Sequence, residues 1–105
     1  MTTNELPQQI LLGHLVLIIP KRSLFIDQVE VSLTPIEYDI ILLLMLHPER
    51  VFSRQEIIDS CWPEEAWVAE RTVDVNISRL RKKISQGDYR IKSRVGFGYM
   101  LTYNI

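Results

Sequence analysis

The chain has 105 residues, 47% hydrophobic and 24% charged, with a net charge of −1, which fits one ordinary globular domain with a modest core and leaves little room for a second. Its single cysteine, Cys61, excludes an internal disulfide and fits a reducing cytosol. The start Met1-Thr2-Thr3-Asn4-Glu5-Leu6-Pro7 has no basic region before an apolar run, and the apolar stretches 10–19 and 40–46 fall short of the ~20 residues a spanning helix needs, so a soluble chain without a signal peptide is expected.

Residues 10–33 read as short strands. Leu15-Val16-Leu17-Ile18-Ile19 is β-rich and closed by Pro20, and Ser23-Leu24-Phe25-Ile26-Asp27 follows. Val29-Glu30-Val31-Ser32-Leu33 alternates apolar and polar residues, as a strand with one buried face does. A small antiparallel sheet is expected. Thr34-Pro35-Ile36-Glu37 then opens a helix with a capping box and a proline at the first helical position. It runs to about Leu46, where His47-Pro48 ends it. Val51-Phe52 reads as an extended link. Ser53-Arg54-Gln55-Glu56 is a second capping box, and its helix stops by Pro63. After a polar turn, a third helix spans about residues 71–85, with Val73, Ile77, Leu80 and Ile84 on one stripe and Gly87 suited to a left-handed C-terminal cap. Residues 89–103 read as a hairpin turning through Gly96 and Gly98.

Charge is segregated along this order. Residues 1–70 carry 4 basic and 11 acidic side chains, net −7, whereas residues 71–105 carry 8 basic and 2 acidic, net +6. On a helical wheel the third helix turns Arg71, Val75, Ser78, Arg79 and Lys82 outward, with Thr72, Asn76 and Lys83 on one flank and Asp74 and Arg81 on the other. Arginine for guanine edges, asparagine for adenine edges and valine for a thymine methyl are what a groove-reading helix carries. A solvated amphipathic helix has the same outline. The hairpin tilts the choice toward DNA, because Lys92, Ser93 and Arg94 precede its glycine turn and could reach a neighbouring groove or phosphate.

Several separated motifs then carry a resemblance that covers nearly the whole chain. Leu33-Thr34-Pro35-Ile36-Glu37-Tyr38, His47-Pro48-Glu49-Arg50-Val51-Phe52-Ser53-Arg54, Trp62, Arg71-Thr72-Val73-Asp74-Val75, Arg79-Leu80-Arg81-Lys82-Lys83 and Gly96-Phe97-Gly98-Tyr99 closely resemble the effector domain of OmpR/PhoB-type response regulators. The resemblance implies an α+β winged helix-turn-helix: a four-stranded antiparallel sheet, three helices and a hairpin wing. It implies sequence-specific double-stranded DNA binding for transcription regulation, in the cytoplasm. Thr72, Val75, Asn76, Arg79 and Arg81 fall at recognition-helix positions, Arg71 at a phosphate grip, with Lys82, Lys92 and Arg94 as further DNA contacts. The loop with Glu64, Glu65 and Trp67 resembles the one such domains turn toward RNA polymerase. Head-to-tail dimers on direct repeats are implied, and no cofactor.

The chain departs from the pattern at Ser78, where many members carry a second arginine, and at Val95, where many carry the arginine before the first wing glycine. Its own arginine falls one residue earlier, at Arg94, and so on the opposite strand face. The chain, read as one effector domain over 1–105, shows no phosphoacceptor receiver domain. That fits an excised effector domain, or a protein without a receiver such as a ToxR- or CadC-like membrane-anchored regulator. The rival function is a winged-helix interaction module that does not bind DNA.

Other features carry less. His14 and His47 lack ligand-spaced carboxylate or cysteine neighbours, so no metal site is expected. Cys61 reads as a buried structural thiol. Glu64 and Glu65 read better as an exposed polar loop than as an acid/base pair, and with no catalytic cluster an enzyme is the least favoured class. Trp67 is either an exposed partner anchor or folded back on the core.

Overall fold

In the computed structural model, which describes residues 7–104, four short strands come first: β1 (Gln9–Leu12), β2 (Leu15–Ile18), β3 (Ser23–Ile26) and β4 (Val29–Val31). The stretch 1–6, read above for a leader, lies outside the described residues. Each strand pairs antiparallel with the next, placing Ile10, Leu17, Leu24 and Val31 side by side. Leu15, Leu17, Leu24 and Ile26 are buried on the inner face, the outcome of the two-residue side-chain period.

Three helices follow: α1 (Pro35–Leu46), α2 (Arg54–Cys61) and α3 (Glu70–Lys83). Both capping boxes form. Thr34 Oγ1 accepts from the Glu37 amide at 3.1 Å while Glu37 Oε1 accepts from the Thr34 amide at 2.9 Å, and Ser53 and Glu56 repeat the exchange. Each cap is worth about 1 kcal/mol. α1 is central and touches both other helices, β1 and the hairpin. Ile40, Ile41, Leu44, Ile57, Ile77, Leu80 and Leu101 interlock in one core.

α3 has no side-chain cap at Ala69, and stops at Lys83 with Ile84 as its C-cap. Gly87 is not the left-handed cap expected: the left-handed glycines among the described residues are Gly13, Gly96 and Gly98. A Cβ on Gly87 would lie 3.2 Å from Leu15 Cδ2, so glycine there answers to a close approach of the chain to the sheet.

The hairpin is β5 (Tyr89–Arg94) and β6 (Gly98–Tyr103), with Ser93 opposite Tyr99 and Arg94 opposite Gly98. Phe52 and Tyr99 exchange backbone hydrogen bonds at 2.8 and 2.9 Å, docking the wing on the link between α1 and α2. Gly98 sits at φ +142, and a Cβ there would fall 1.9 Å from the Phe52 carbonyl oxygen. The arrangement is the winged helix-turn-helix the sequence implied.

Candidate nucleic-acid interface

The inner stripe of α3 is buried as its spacing predicts, with Val73, Ile77 and Leu80 fully enclosed. The opposite face presents Arg71, Thr72, Val75, Ser78, Arg79 and Lys82 to solvent. Val75 is 40% exposed, an apolar spot among these cations.

Two flank residues differ from expectation. Asn76 is buried, and its Nδ2 donates to the Thr72 carbonyl at 2.9 Å. On the wheel it lies only about 70° from the centre of the apolar stripe. Packing draws it inward, so its carboxamide serves its own helix rather than the outer face. Arg81 is committed as well: its Nε donates to the Ile91 carbonyl at 2.9 Å, its guanidinium to Ser93 Oγ, and its Cζ lies 5.4 Å from the centroid of the Tyr99 ring. It fastens α3 to the wing.

Lys83 and Glu37 form a second clamp, between the end of α3 and the start of α1. Lys83 Nζ lies 2.6 Å from Glu37 Oε1, and Glu37 is 1% exposed. Burial pushes that carboxyl up, but hydrogen bonds from Lys83 and Thr34 more than offset it and hold the group below its ordinary value.

A third clamp was invisible in the sequence. Asp74 accepts from Arg54 Nε at 2.7 Å and from the Tyr99 hydroxyl at 2.5 Å, joining α2, α3 and the wing. Burial raises the Asp74 carboxyl, and these bonds override it and lower it. Tyr99 is pushed up by burial and by its bond to Asp74. The Arg54 and Arg81 guanidinium carbons lie 5.6 and 5.4 Å from its ring centroid. Arg54 and Asp74 are 20 positions apart, and only their opposite charges could have hinted at the pairing.

These clamps sort the positive charge. Arg22, Arg50 and Arg54 each meet a carboxylate, while Arg81 and Lys83 are bound into the fold. Among the described residues, Lys21, Arg71, Arg79, Lys82, Arg90, Lys92 and Arg94 make no side-chain ion pair or hydrogen bond within the protein, and all but Lys21, in the turn between β2 and β3, lie on α3 or the hairpin. Lys92 is half-buried and Arg94 exposed. Arg94 lines a groove with Val51, Ser53, Glu56 and Phe97, on the strand face opposite Ser93 and its bond to α3. The alternation that set it there also keeps it from the outer face of α3.

The loop between α2 and α3 leaves Trp67 88% exposed, with Glu64 and Glu65 beside it. Trp67 borders an open groove that includes Gln55, Ile58, Trp62 and Val68. Cys61 is buried, and burial pushes its thiol up to about 12, which leaves it unreactive. Folding does bring Asp27 and Asp88 within 3.6 Å of His14, neighbours its sequence context did not show. No cluster of three metal-ligating side chains occurs among the described residues, and no described helix is long and apolar enough to cross a membrane.

Comparison with known proteins points one way. The family model described as "Transcriptional regulatory protein, C terminal" matches residues 28–101. The phosphate regulon transcriptional regulatory protein PhoB of Escherichia coli K12 is 40% identical over 67 residues, which cover 62% of this chain and 29% of PhoB. The chain thus spans under a third of the length of that relative. Among solved structures, the DNA-binding domain of the response regulator AdeR, in complex with an intercistronic region, superposes with a TM-score of 0.78 at 31% identity, covering 89% of this chain and 98% of that one. The Klebsiella pneumoniae RstA DNA-binding domain, in complex with the RstA box, gives 0.79 at 27% identity, covering 91% and 98%.

Proposed function

Because the chain belongs to the transcriptional regulatory protein C-terminal family, the effector domains of OmpR/PhoB-type regulators, we propose that it binds double-stranded DNA sequence-specifically to regulate transcription, with α3 in the major groove and the wing at the adjacent minor groove or backbone. The observation that carries this is the segregation of free cations: of the seven unpaired within the described residues, six lie on α3 and the hairpin and only Lys21 lies elsewhere, while the others are paired within the fold. Phosphates take up such charges and fix the register. Arg79 and Val75 are the residues proposed to read base edges, with Thr72 beside them, and Arg71 and Lys82 to hold phosphates. The exposed α3 N-terminus adds backbone amides for the same purpose.

The proposal extends to a head-to-tail pair of chains on direct repeats and to the Glu64–Glu65–Trp67 loop as a contact for an RNA polymerase subunit. An exposed tryptophan beside a groove is a fit anchor for a protein partner. In this reading the chain, 1–105, acts as a non-enzymatic effector unit in the cytoplasm. Selection of bound duplexes from a random pool by the full chain tests it. The expected result is one enriched half-site, repeated in one orientation about one helical turn apart. A pool that stays random through successive rounds contradicts it and returns the chain to the protein-interaction class.

A further inference from the structure

The wing tip is apolar where a tight turn is ordinarily polar. Val95 is 93% exposed and Phe97 73%, on either side of Gly96. Single exposed apolar side chains are common on surfaces, but these two share a three-residue turn within the basic third. The hairpin, residues 89–103, carries Arg90, Lys92 and Arg94 and no carboxylate. The tip stands clear of the protein: nothing lies within 4 Å of where a side chain on Gly96 would begin.

Its position is fixed. The Ser93–Tyr99 pair of the hairpin is bonded to α3 through Arg81 and Asp74, and Tyr99 is locked to Phe52. The Arg94–Gly98 pair comes next, and the tip follows one step beyond. The apolar tip therefore projects just past the clamps that set the wing against α3, with Arg94 beside it on the groove shared with Phe97.

We propose that Val95 and Phe97 seat in the DNA minor groove against deoxyribose and base edges, so that the wing holds DNA by apolar contact, with Lys92 and Arg94 reaching the flanking phosphates. Apolar side chains are established minor-groove wedges, and a basic surround suits a polyanion rather than an apolar protein surface. This rests on the DNA-binding reading above.

The test compares the full chain with Val95→Ser/Phe97→Ser on a single-half-site duplex recovered from a random pool by the wild-type chain. Kd is measured across a salt series, together with the melting temperature. The expected result is binding weaker by on the order of tenfold, the scale for losing one buried aromatic contact. The salt slope stays unchanged, because no phosphate contact is removed, and the melting temperature stays unchanged. On a duplex trimmed of the base pairs under the wing, the two proteins bind alike. Equal Kd values on the untrimmed duplex overturn the proposal while leaving DNA binding intact. So does a loss confined to cooperative binding on a two-site duplex, which assigns the tip to a second copy. A wild-type chain that binds no duplex overturns both readings together.

Discussion

Removing Lys83 isolates what it means to bury a charge and then strip its partner. The pair is lopsided: the Lys83 side chain is 34% exposed and that of Glu37 1%. Lys83→Ala leaves a carboxylate enclosed in the core with the Thr34 amide as its remaining donor, at 2.9 Å. Orphaning a buried charge costs roughly 3–5 kcal/mol. The surviving amide bond trims this, giving about 2 kcal/mol at pH 7, or roughly 8–16 °C in Tm for a domain of this size. Glu37→Gln is the converse. It keeps an acceptor for the Thr34 amide and leaves an ammonium free to turn to water, so about 0.5–1 kcal/mol is lost, as for a partly exposed pair. Lys83→Ala with Glu37→Gln should recover most of the Lys83→Ala loss. Glu37 is held below its ordinary value of 4.5, so it stabilises the fold above that pH and loses this contribution as pH falls through its folded value. The gap between wild type and Lys83→Ala should therefore be full at pH 7 and close as pH falls below 4.5. Chemical denaturation followed by circular dichroism at several pH values reads all of this. A Lys83→Ala loss no larger than that of Glu37→Gln, or a gap that widens in acid, refutes the reasoning.

Arg79→Ala should weaken specific binding by about 1–3 kcal/mol, the worth of a bidentate base contact, read by titration at fixed salt; an unchanged Kd removes Arg79 from the reading face. Asn76→Ala should cost about 1 kcal/mol of stability and leave base preference intact, so thermal melting shifts while the selected half-site stays the same. Gly98→Ala places a Cβ against the Phe52 carbonyl and should detach or unfold the wing, visible as loss of amide exchange protection across β5 and β6.

Much of this architecture was legible because it is local. Thr34–Glu37 and Ser53–Glu56 announce two helix starts within four residues, and the Val73–Ile77–Leu80–Ile84 stripe fixes which way α3 faces. The charge asymmetry marked the basic third, and the exposed Arg71, Arg79 and Lys82 follow from the wheel. What escaped was non-local. Glu37 and Lys83 are 46 positions apart, and Arg54, Asp74 and Tyr99 meet through three elements, so no spacing reveals them. Arg81 looked like one more cation of a basic run until the wing strand came to lie beside it. Asn76 sits at the edge of the apolar stripe, where packing rather than periodicity decides. Gly87 suited a helix cap by type, but its place is set by Leu15 of a distant strand.

The central claim is that the unpaired cations of α3 and the wing hold DNA phosphates. Affinity of the full chain for its selected duplex, measured by fluorescence anisotropy across a salt series, tests it most directly. With up to six such side chains engaged, log Kobs should fall against log salt with a slope between about −3 and −5. A slope near zero, or no binding at roughly 50 mM salt, contradicts the account.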